Sequence, residues 1–275
     1  ILGYPHIVQI AAVGGLVDSA HSIDARPLAS FFARNGDLDS AQAAFFEDFD
    51  IIVSYLYDPD RIFENNVSRC SLAQFHVGPH RPDEGGELHA TQTFLKPLER
   101  LAIFDADPIP RIEVSPWENE SAGLSFSEDR RWLAVHPGSG SESKNWAEEK
   151  WSELLERLVE STEMNLFVVG GESEGEKLER LASVLPADRH CLLRSRPLAE
   201  LSRCLKRCEG FVGHDSGITH LAAAIGLPGI VLWGDTSVDI WGPKSDGIQT
   251  LLSEGGLAGL SVDRVSDSVE ALIGE

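Results

Sequence analysis

Between Phe211 and Ala224 a short apolar run, Phe211-Val212, passes through Gly213-His214-Asp215-Ser216-Gly217 into a stretch that ends Ala222-Ala223-Ala224. This order predicts a buried strand, a Gly-rich turn and a helix that opens at Ser216-Gly217. Units of that kind assemble into parallel sheets covered by helices, so the segment constrains the fold more than any other. The first N–H groups of the helix lack intrahelical partners and face the turn, together with the positive end of the helix dipole. Such a turn accepts an anion, phosphate above all. Glycines on both sides of Asp215 let a bulky ligand come close to the backbone. Asp215 cannot attract phosphate; it is suited to accepting hydrogen bonds from hydroxyls. Phosphate with hydroxyls points to a sugar nucleotide.

A second turn of this type lies upstream. Arg131-Trp132-Leu133-Ala134-Val135 reads as a strand, His136-Pro137-Gly138-Ser139-Gly140-Ser141 as a small-residue loop, and Lys144-Asn145-Trp146 precedes a helix. In that helix Trp151, Leu154, Leu155, Leu158 and Val159 fall on one face of a 3.6-residue period. A single loop like this is as compatible with an ordinary βα connection as with a diphosphate cradle. Two of them, with a lysine and a carboxylate, favour the ligand. Glu174, or Glu172, stands just past a strand end, where a carboxylate can hold ribose hydroxyls. The competing reading for these glutamates is a favourable charge at a helix N-terminus; for Lys144 it is a solvated surface lysine.

Around these turns the second half alternates strongly. Strands are predicted near 132–136, 165–170, 190–194, 210–213 and 229–233, and helices near 147–161, 174–184, 197–208 and 216–226. A last helix is predicted from Ser261 to Ile273, with Val262, Val265, Val269 and Leu272 inward. Alternation with short loops means a doubly wound parallel sheet whose ligands sit at the carboxyl ends of the strands. Trp146, Trp151 and Trp233 read as core or rim aromatics, and His220 as a hydrogen-bonded core histidine. The first half is less regular. Residues 7–11 and 51–55 read as strands, 29–34 and 41–46 as helical pieces, 75–116 as loop, and 115–130 as a linker.

Composition limits the partners. With 44 acidic and 23 basic residues the net charge is −21, which disfavours nucleic acid. Residues 1–120 carry 8 basic and 19 acidic side chains, so the first half offers little basic surface. No apolar run approaches bilayer length and no basic-then-apolar leader is visible, so a soluble, cytoplasmic protein is expected. Cys70, Cys191, Cys204 and Cys208 have no CxxC spacing and read as reduced thiols; no metal site is expected.

Taken in order, several blocks resemble glycosyltransferase family 9, the heptosyltransferase-like enzymes of bacterial envelope polysaccharide synthesis. They are His136-Pro137-Gly138-Ser139 with Lys144-Asn145-Trp146, Val168 to Glu174, Pro197 to Leu201, Phe211 to Pro228, and Leu232 to Thr236 with Trp241-Gly242-Pro243. The resemblance covers about residues 130–273. It implies an α/β, GT-B-like fold: two Rossmann-like doubly wound domains facing across a cleft, the first incomplete. Residues 1–125 would be the acceptor-side domain, and 126–275 the nucleotide-sugar donor domain with the C-terminal helix 261–273.

The implied activity moves a sugar, heptose in the family, from a nucleoside-diphosphate sugar such as ADP-heptose to an envelope saccharide or lipid-linked acceptor. Transfer would be inverting, would need no metal or other cofactor, and would take place in the cytoplasm with at most peripheral association at the inner face of the membrane. Ser139, Gly140, Lys144, Ser216 and Gly217 would hold the diphosphate, Glu174 the ribose and Asp215 the sugar hydroxyls. The family's catalytic base lies in an N-terminal Gly-Asp turn that is not visible here; Ile1-Leu2-Gly3-Tyr4-Pro5 is similar to the family's second strand. The expectation is that the first strand and helix of the acceptor domain, with the base, are missing from these residues, which would then bind donor with negligible transfer. Two alternatives stand beside the transferase: a non-catalytic sugar-nucleotide-binding relative, and a two-domain sugar-nucleotide epimerase.

Overall fold

The structure is a computed structural model that describes residues 1–115, 129–171 and 174–274. It divides into two compact units, the first mainly Val17–Pro108 with Ile1–Ala12, the second mainly Ile109–Val238 with Gly242–Glu275. The domain boundary expected at 125/126 and most of the linker at 115–130 lie outside the described residues.

Unit 2 follows the alternation in its sequence. Its elements are β5 (Trp132–His136), α5 (Glu148–Ser161), β6 (Asn165–Gly170), α6 (Glu176–Ser183), β7 (His190–Arg194), α7 (Leu198–Leu205), β8 (Gly210–His214), α8 (Gly217–Ala224), β9 (Gly229–Leu232), β10 (Ile248–Leu251) and α10 (Val262–Ile273), while the short α9 (Val238–Trp241) falls in unit 1 from Asp239 on. The six strands form one parallel sheet in the order β10-β9-β8-β5-β6-β7. Every residue of β5, β6, β8 and β9 is buried, as continuous apolar runs covered on both faces require. On α5 the predicted stripe is the buried one: Trp151, Leu154, Leu155 and Leu158 have no exposed surface, and Val159 packs against the same core. Burying each such side chain stabilises the unit by about 1.5–3 kcal/mol before entropy is counted. At the C-terminus the Ser261 hydroxyl caps α10 by accepting from the Arg264 N–H, and Val262, Val265 and Val269 turn into the core. The strand β10, absent from the sequence reading, closes one edge of the sheet.

Unit 1 contains β1 (Leu2–Gly3), α1 (Pro5–Val13), β2 (His21–Ser22), α2 (Ser40–Glu47), β3 (Ile51–Ser54), α3 (Ile62–Val67), β4 (Gln74–Val77) and α4 (Ala90–Leu95), with 3₁₀ turns at Arg26–Phe32 and Lys96–Leu101. Its strands make two separate parallel pairs, β1 with β2 and β3 with β4. The core is aromatic: Phe31, Phe46 and Phe63 meet with ring centroids 5.0–6.3 Å apart, beside Leu28 and Val67. An apolar trough of about 630 Å³ runs along Leu2 and Gly3 of β1 and Ile51, Ile52 and Val53 of β3.

Two expectations for this half, and one for unit 2, are corrected. Residues 7–11 are helical, within α1, not a strand; Pro5 at the first helical position starts the helix with its fixed φ. The stretch 75–116 is not all loop: β4 ends in it, and α4 is opened by a capping box in which His89 accepts from the Thr91 N–H and Gln92 accepts from the His89 N–H. In unit 2, His220 is exposed on α8 and is no core histidine, because its helix position turns toward solvent.

Candidate functional site

Four neighbouring strands of unit 2 end side by side, and their carboxyl-end loops carry every site residue expected from the sequence. The register pairs His136 with Gly213 across β5 and β8, Val135 with Val168 across β5 and β6, and His214 with Leu232 across β8 and β9. The loop after β5 therefore lies beside the turn after β8 on one flank and the loop after β6 on the other. It brings Ser139, Gly140 and Lys144 near Asp215, Ser216 and Gly217, and near Glu174.

Lys144 and Asp215 are bonded to each other. The ammonium donates to Asp215 Oδ2 at 2.6 Å, with the aspartate side chain 11% exposed and the lysine 34%. The same oxygen accepts from the Thr236 hydroxyl at 2.7 Å. The two residues given separate roles by the sequence thus form one polar cluster, and Thr236, on the loop after β9, joins it.

Ser216 is the N-cap of α8, its hydroxyl accepting from the Thr219 N–H at 3.4 Å and lying 3.2 Å from His136 Nδ1. The N–H groups of Gly217 and Ile218, the first two of the helix, have no partner among the described residues. A Cβ at Gly140 or Gly217 would meet no protein atom within 4 Å, so both glycines border open space. The Ser139 hydroxyl donates to the Ser141 carbonyl at 2.7 Å within its own loop. Glu174 accepts from the Gly171 N–H at 2.6 Å and lies across Gly138, where any Cβ would fall about 2.2 Å from its carboxylate. Glu172 lies outside the described residues. Ser139, Gly140 and Glu174 line an open pocket of about 610 Å³ together with Asn145, Trp146 and Lys177, a size suited to a small-molecule ligand.

Two buried histidines fix the loop after β5. His214 Nε2 accepts from the Trp146 N–H at 2.9 Å, and its Nδ1 lies 3.4 Å from the Gly138 carbonyl. A backbone N–H needs an acceptor, so Nε2 carries no proton and the ring is neutral. Burial pushes the pKa of His214 down to about 3, helped by the neighbouring His136. Burial likewise lowers His136 to about 4, partly opposed by the charge of Glu174. Neither ring is a proton carrier near neutral pH; both are structural ties. Lys177 at the start of α6 donates to the Pro137 carbonyl at 3.4 Å, and burial lowers its pKa. Opposite it, Arg180 holds Glu148 through two hydrogen bonds of 2.6 and 2.8 Å.

Sequence reasoning thus placed Ser139, Gly140, Lys144, Glu174, Asp215, Ser216 and Gly217 at one edge of one sheet. It missed Thr236, His214 and Lys177 as site residues. For Thr236 a signal existed, since Leu232-Trp233-Gly234-Asp235-Thr236 belongs to the resemblance blocks; for Lys177, one lysine in an acidic helix gives none. Among the described residues no helix is long and apolar enough to cross a membrane.

Comparison with known proteins agrees with this geometry. The model of glycosyltransferase family 9 (heptosyltransferase) matches residues 80–260, more than half of the chain. Lipopolysaccharide heptosyltransferase 1 of Pseudomonas aeruginosa is 33% identical over 140 residues, 51% of this chain and 33% of that protein. Lipopolysaccharide heptosyltransferase 2 of Salmonella typhimurium is 26% identical over 144 residues, 50% of this chain and 41% of that protein. The matched part is less than half the length of either relative. Among solved structures, the family 9 glycosyl transferase of Veillonella parvula superposes with a TM-score of 0.76 at 16% identity, covering 99% of this chain and 87% of that one. The E. coli heptosyltransferase WaaC with ADP gives 0.70 at 17%, covering 98% and 89%. At these identities the likeness shows the fold, which is the α/β GT-B type. The chain belongs to glycosyltransferase family 9.

Proposed function

We propose that unit 2 binds a nucleoside-diphosphate sugar, of which ADP-heptose is the leading candidate, and that the protein transfers the sugar to an envelope saccharide or lipid-linked acceptor. The observation that carries this reading is the convergence of a lysine, open helix N–H groups and two carboxylates at the carboxyl ends of four adjacent parallel strands. Lys144, the backbone at Gly140 and the N–H groups at Gly217 and Ile218 face the diphosphate. Glu174 takes the ribose hydroxyls from the neighbouring loop, and Asp215 the hydroxyls of the transferred sugar. Heptosyltransferase relatives and the ADP complex of WaaC support the ligand class.

An acceptor hydroxyl attacks the anomeric carbon as a carboxylate base takes its proton, and the nucleoside diphosphate leaves from the opposite face, inverting the centre. Negative charge grows on the leaving diphosphate, and Lys144 with the oriented N–H groups stabilises it there without a metal ion. The neutral histidines His136 and His214 hold the donor loop in shape and move no proton. The reaction takes place in the cytoplasm, at the inner face of the membrane where such acceptors are presented.

The test is incubation with ADP-heptose and a heptose-deficient lipopolysaccharide core, read by mass spectrometry of the saccharide. Binding of ADP-heptose by residues 1–275 is the expected result, and heptose transfer with release of ADP is expected of a form of the protein that carries the base. Donor binding with no transfer by a form that carries the base would favour the non-catalytic reading.

A further inference from the structure

Asp215 Oδ2 is crowded and Oδ1 is not. Lys144 Nζ and Thr236 Oγ1 both converge on Oδ2, at 2.6 and 2.7 Å, and Oδ1 has no hydrogen-bond partner among the described residues. Thr236 is itself anchored from below: its carbonyl accepts from the Trp233 indole at 2.6 Å, and Trp233 has no exposed surface. A rigid core aromatic just past β9 thus sets the position of a hydroxyl, which sets the rotamer of a carboxylate in the turn after the neighbouring β8.

We infer that Thr236 is a positioning residue of the donor site, which keeps Asp215 oriented toward sugar hydroxyls when Lys144 turns to the diphosphate. The inference rests on the proposed donor reading and deepens it. Lys144 has one ammonium and two claimants. In the free protein the ammonium neutralises Asp215; a bound diphosphate, with more negative charge, draws it away. Without a second donor the aspartate would lose its only tether as the ligand arrives, and would then rotate freely or follow the lysine. Ordering it again would weaken sugar binding. The Thr236 hydroxyl removes that cost. It is uncharged and shorter than lysine, and it comes from a loop tied to the sheet, so it holds Oδ2 whether or not Lys144 is present and leaves Oδ1 as an acceptor for the sugar.

This role separates the two parts of the donor. The diphosphate is bound by Lys144 and backbone N–H groups that Thr236 does not touch. Loss of the hydroxyl should therefore be felt by the sugar and not by the nucleoside diphosphate, whereas loss of a merely structural residue would weaken both. The experiment is calorimetry of ADP-heptose and free ADP with wild type, Thr236→Val, Thr236→Ser, Asp215→Asn and the Thr236→Val/Asp215→Asn pair. For Thr236→Val the expected result is about a tenfold loss for ADP-heptose, the size of one hydrogen bond to a charged group, with ADP changed less than about twofold. Thr236→Ser, which keeps the hydroxyl, restores binding. In the Asp215→Asn background the Thr236→Val substitution costs little more, because both act through the same carboxylate.

Three results overturn the inference. One is Thr236→Val weakening both ligands equally, and another is Thr236→Ser failing to restore binding. The third is a wild type that binds ADP-heptose more tightly than ADP while Thr236→Val keeps the full difference. A wild type that binds neither nucleotide removes the donor reading as well as this inference, and is recognisable because no variant need be examined.

Discussion

In unit 2 six parallel strands are bonded into one sheet, covered on both faces, and its core includes Trp146, Trp151 and Trp233 at no more than 1% exposure. In unit 1 four strands remain two separate pairs, and large apolar side chains stay in water: Ile1 is 53% exposed, Tyr4 55% and Ile51 44%. The contrast shows where this chain invests order. The candidate donor site is built from loops that leave the middle strands of the continuous sheet, so each loop inherits a fixed origin from a buried strand. Sites need such support, because binding groups held loosely lose affinity to ordering costs. Unit 1 buries a compact aromatic cluster around Phe31, Phe46 and Phe63, yet its β1 and β3 border an apolar trough. Fewer apolar contacts per strand predict that unit 1 opens first.

The largest expected effect tests that ranking. Trp151→Ala removes a fully buried indole from the unit 2 core and should lower the opening free energy of the β5, β6 and β8 amides by about 3–5 kcal/mol. Ile51→Thr, on a half-exposed strand of unit 1, should change the β3 amides by no more than about 0.5 kcal/mol. Native-state hydrogen exchange resolves the two. Similar losses in both units, or faster exchange in wild-type unit 2 than in unit 1, would break the comparison.

Acid should also act on the units unequally. Burial holds His136 at about 4 and His214 at about 3, below the ordinary value of 6.5. A pKa lowered by folding means that the unfolded chain takes up protons first as pH falls. The stabilisation is complete above about pH 6.5 and is lost progressively toward pH 4, at up to about 1.4 kcal/mol per pH unit for each ring. Between pH 7 and 5 unit 2 should lose about 2 kcal/mol per histidine, and His136→Asn should remove about half of that drop. Exchange protection measured at both pH values checks it; a drop unchanged by His136→Asn would show that the ring is not buried neutral.

The same contrast governs what could be read from sequence. In unit 2 the strands are fully buried and read as apolar runs, and α5 repeats its apolar residues at helical spacing, so both periodicities were visible. Residues 7–11 misled because Ile7, Val8 and Ile10 favour strands by type, while the signal that decides, Pro5 at the helix start, lies outside the run. The helix α4 was hidden by its cap: His89 accepts where Ser, Thr, Asp or Asn is usual. The edge strand β10, Ile248-Gln249-Thr250-Leu251, buries only Leu251 and so lacks an apolar run. In the site, glycines, Lys144 and Asp215 announced themselves by residue type beside strand ends. The bonding of Lys144 to Asp215, and of Thr236 to the same carboxylate oxygen, depends on strand order, which places β9 beside β8 and β8 beside β5. No local pattern encodes that order.

Lys144 is the proposed diphosphate-binding cation of unit 2, and calorimetry of ADP and ADP-heptose with wild type and Lys144→Ala measures that role. Wild type should bind both, and Lys144→Ala should weaken both by about 1.5–3 kcal/mol, the range of a charge-assisted hydrogen bond. Unchanged affinity in Lys144→Ala, or no binding of either nucleotide by wild type, would contradict it.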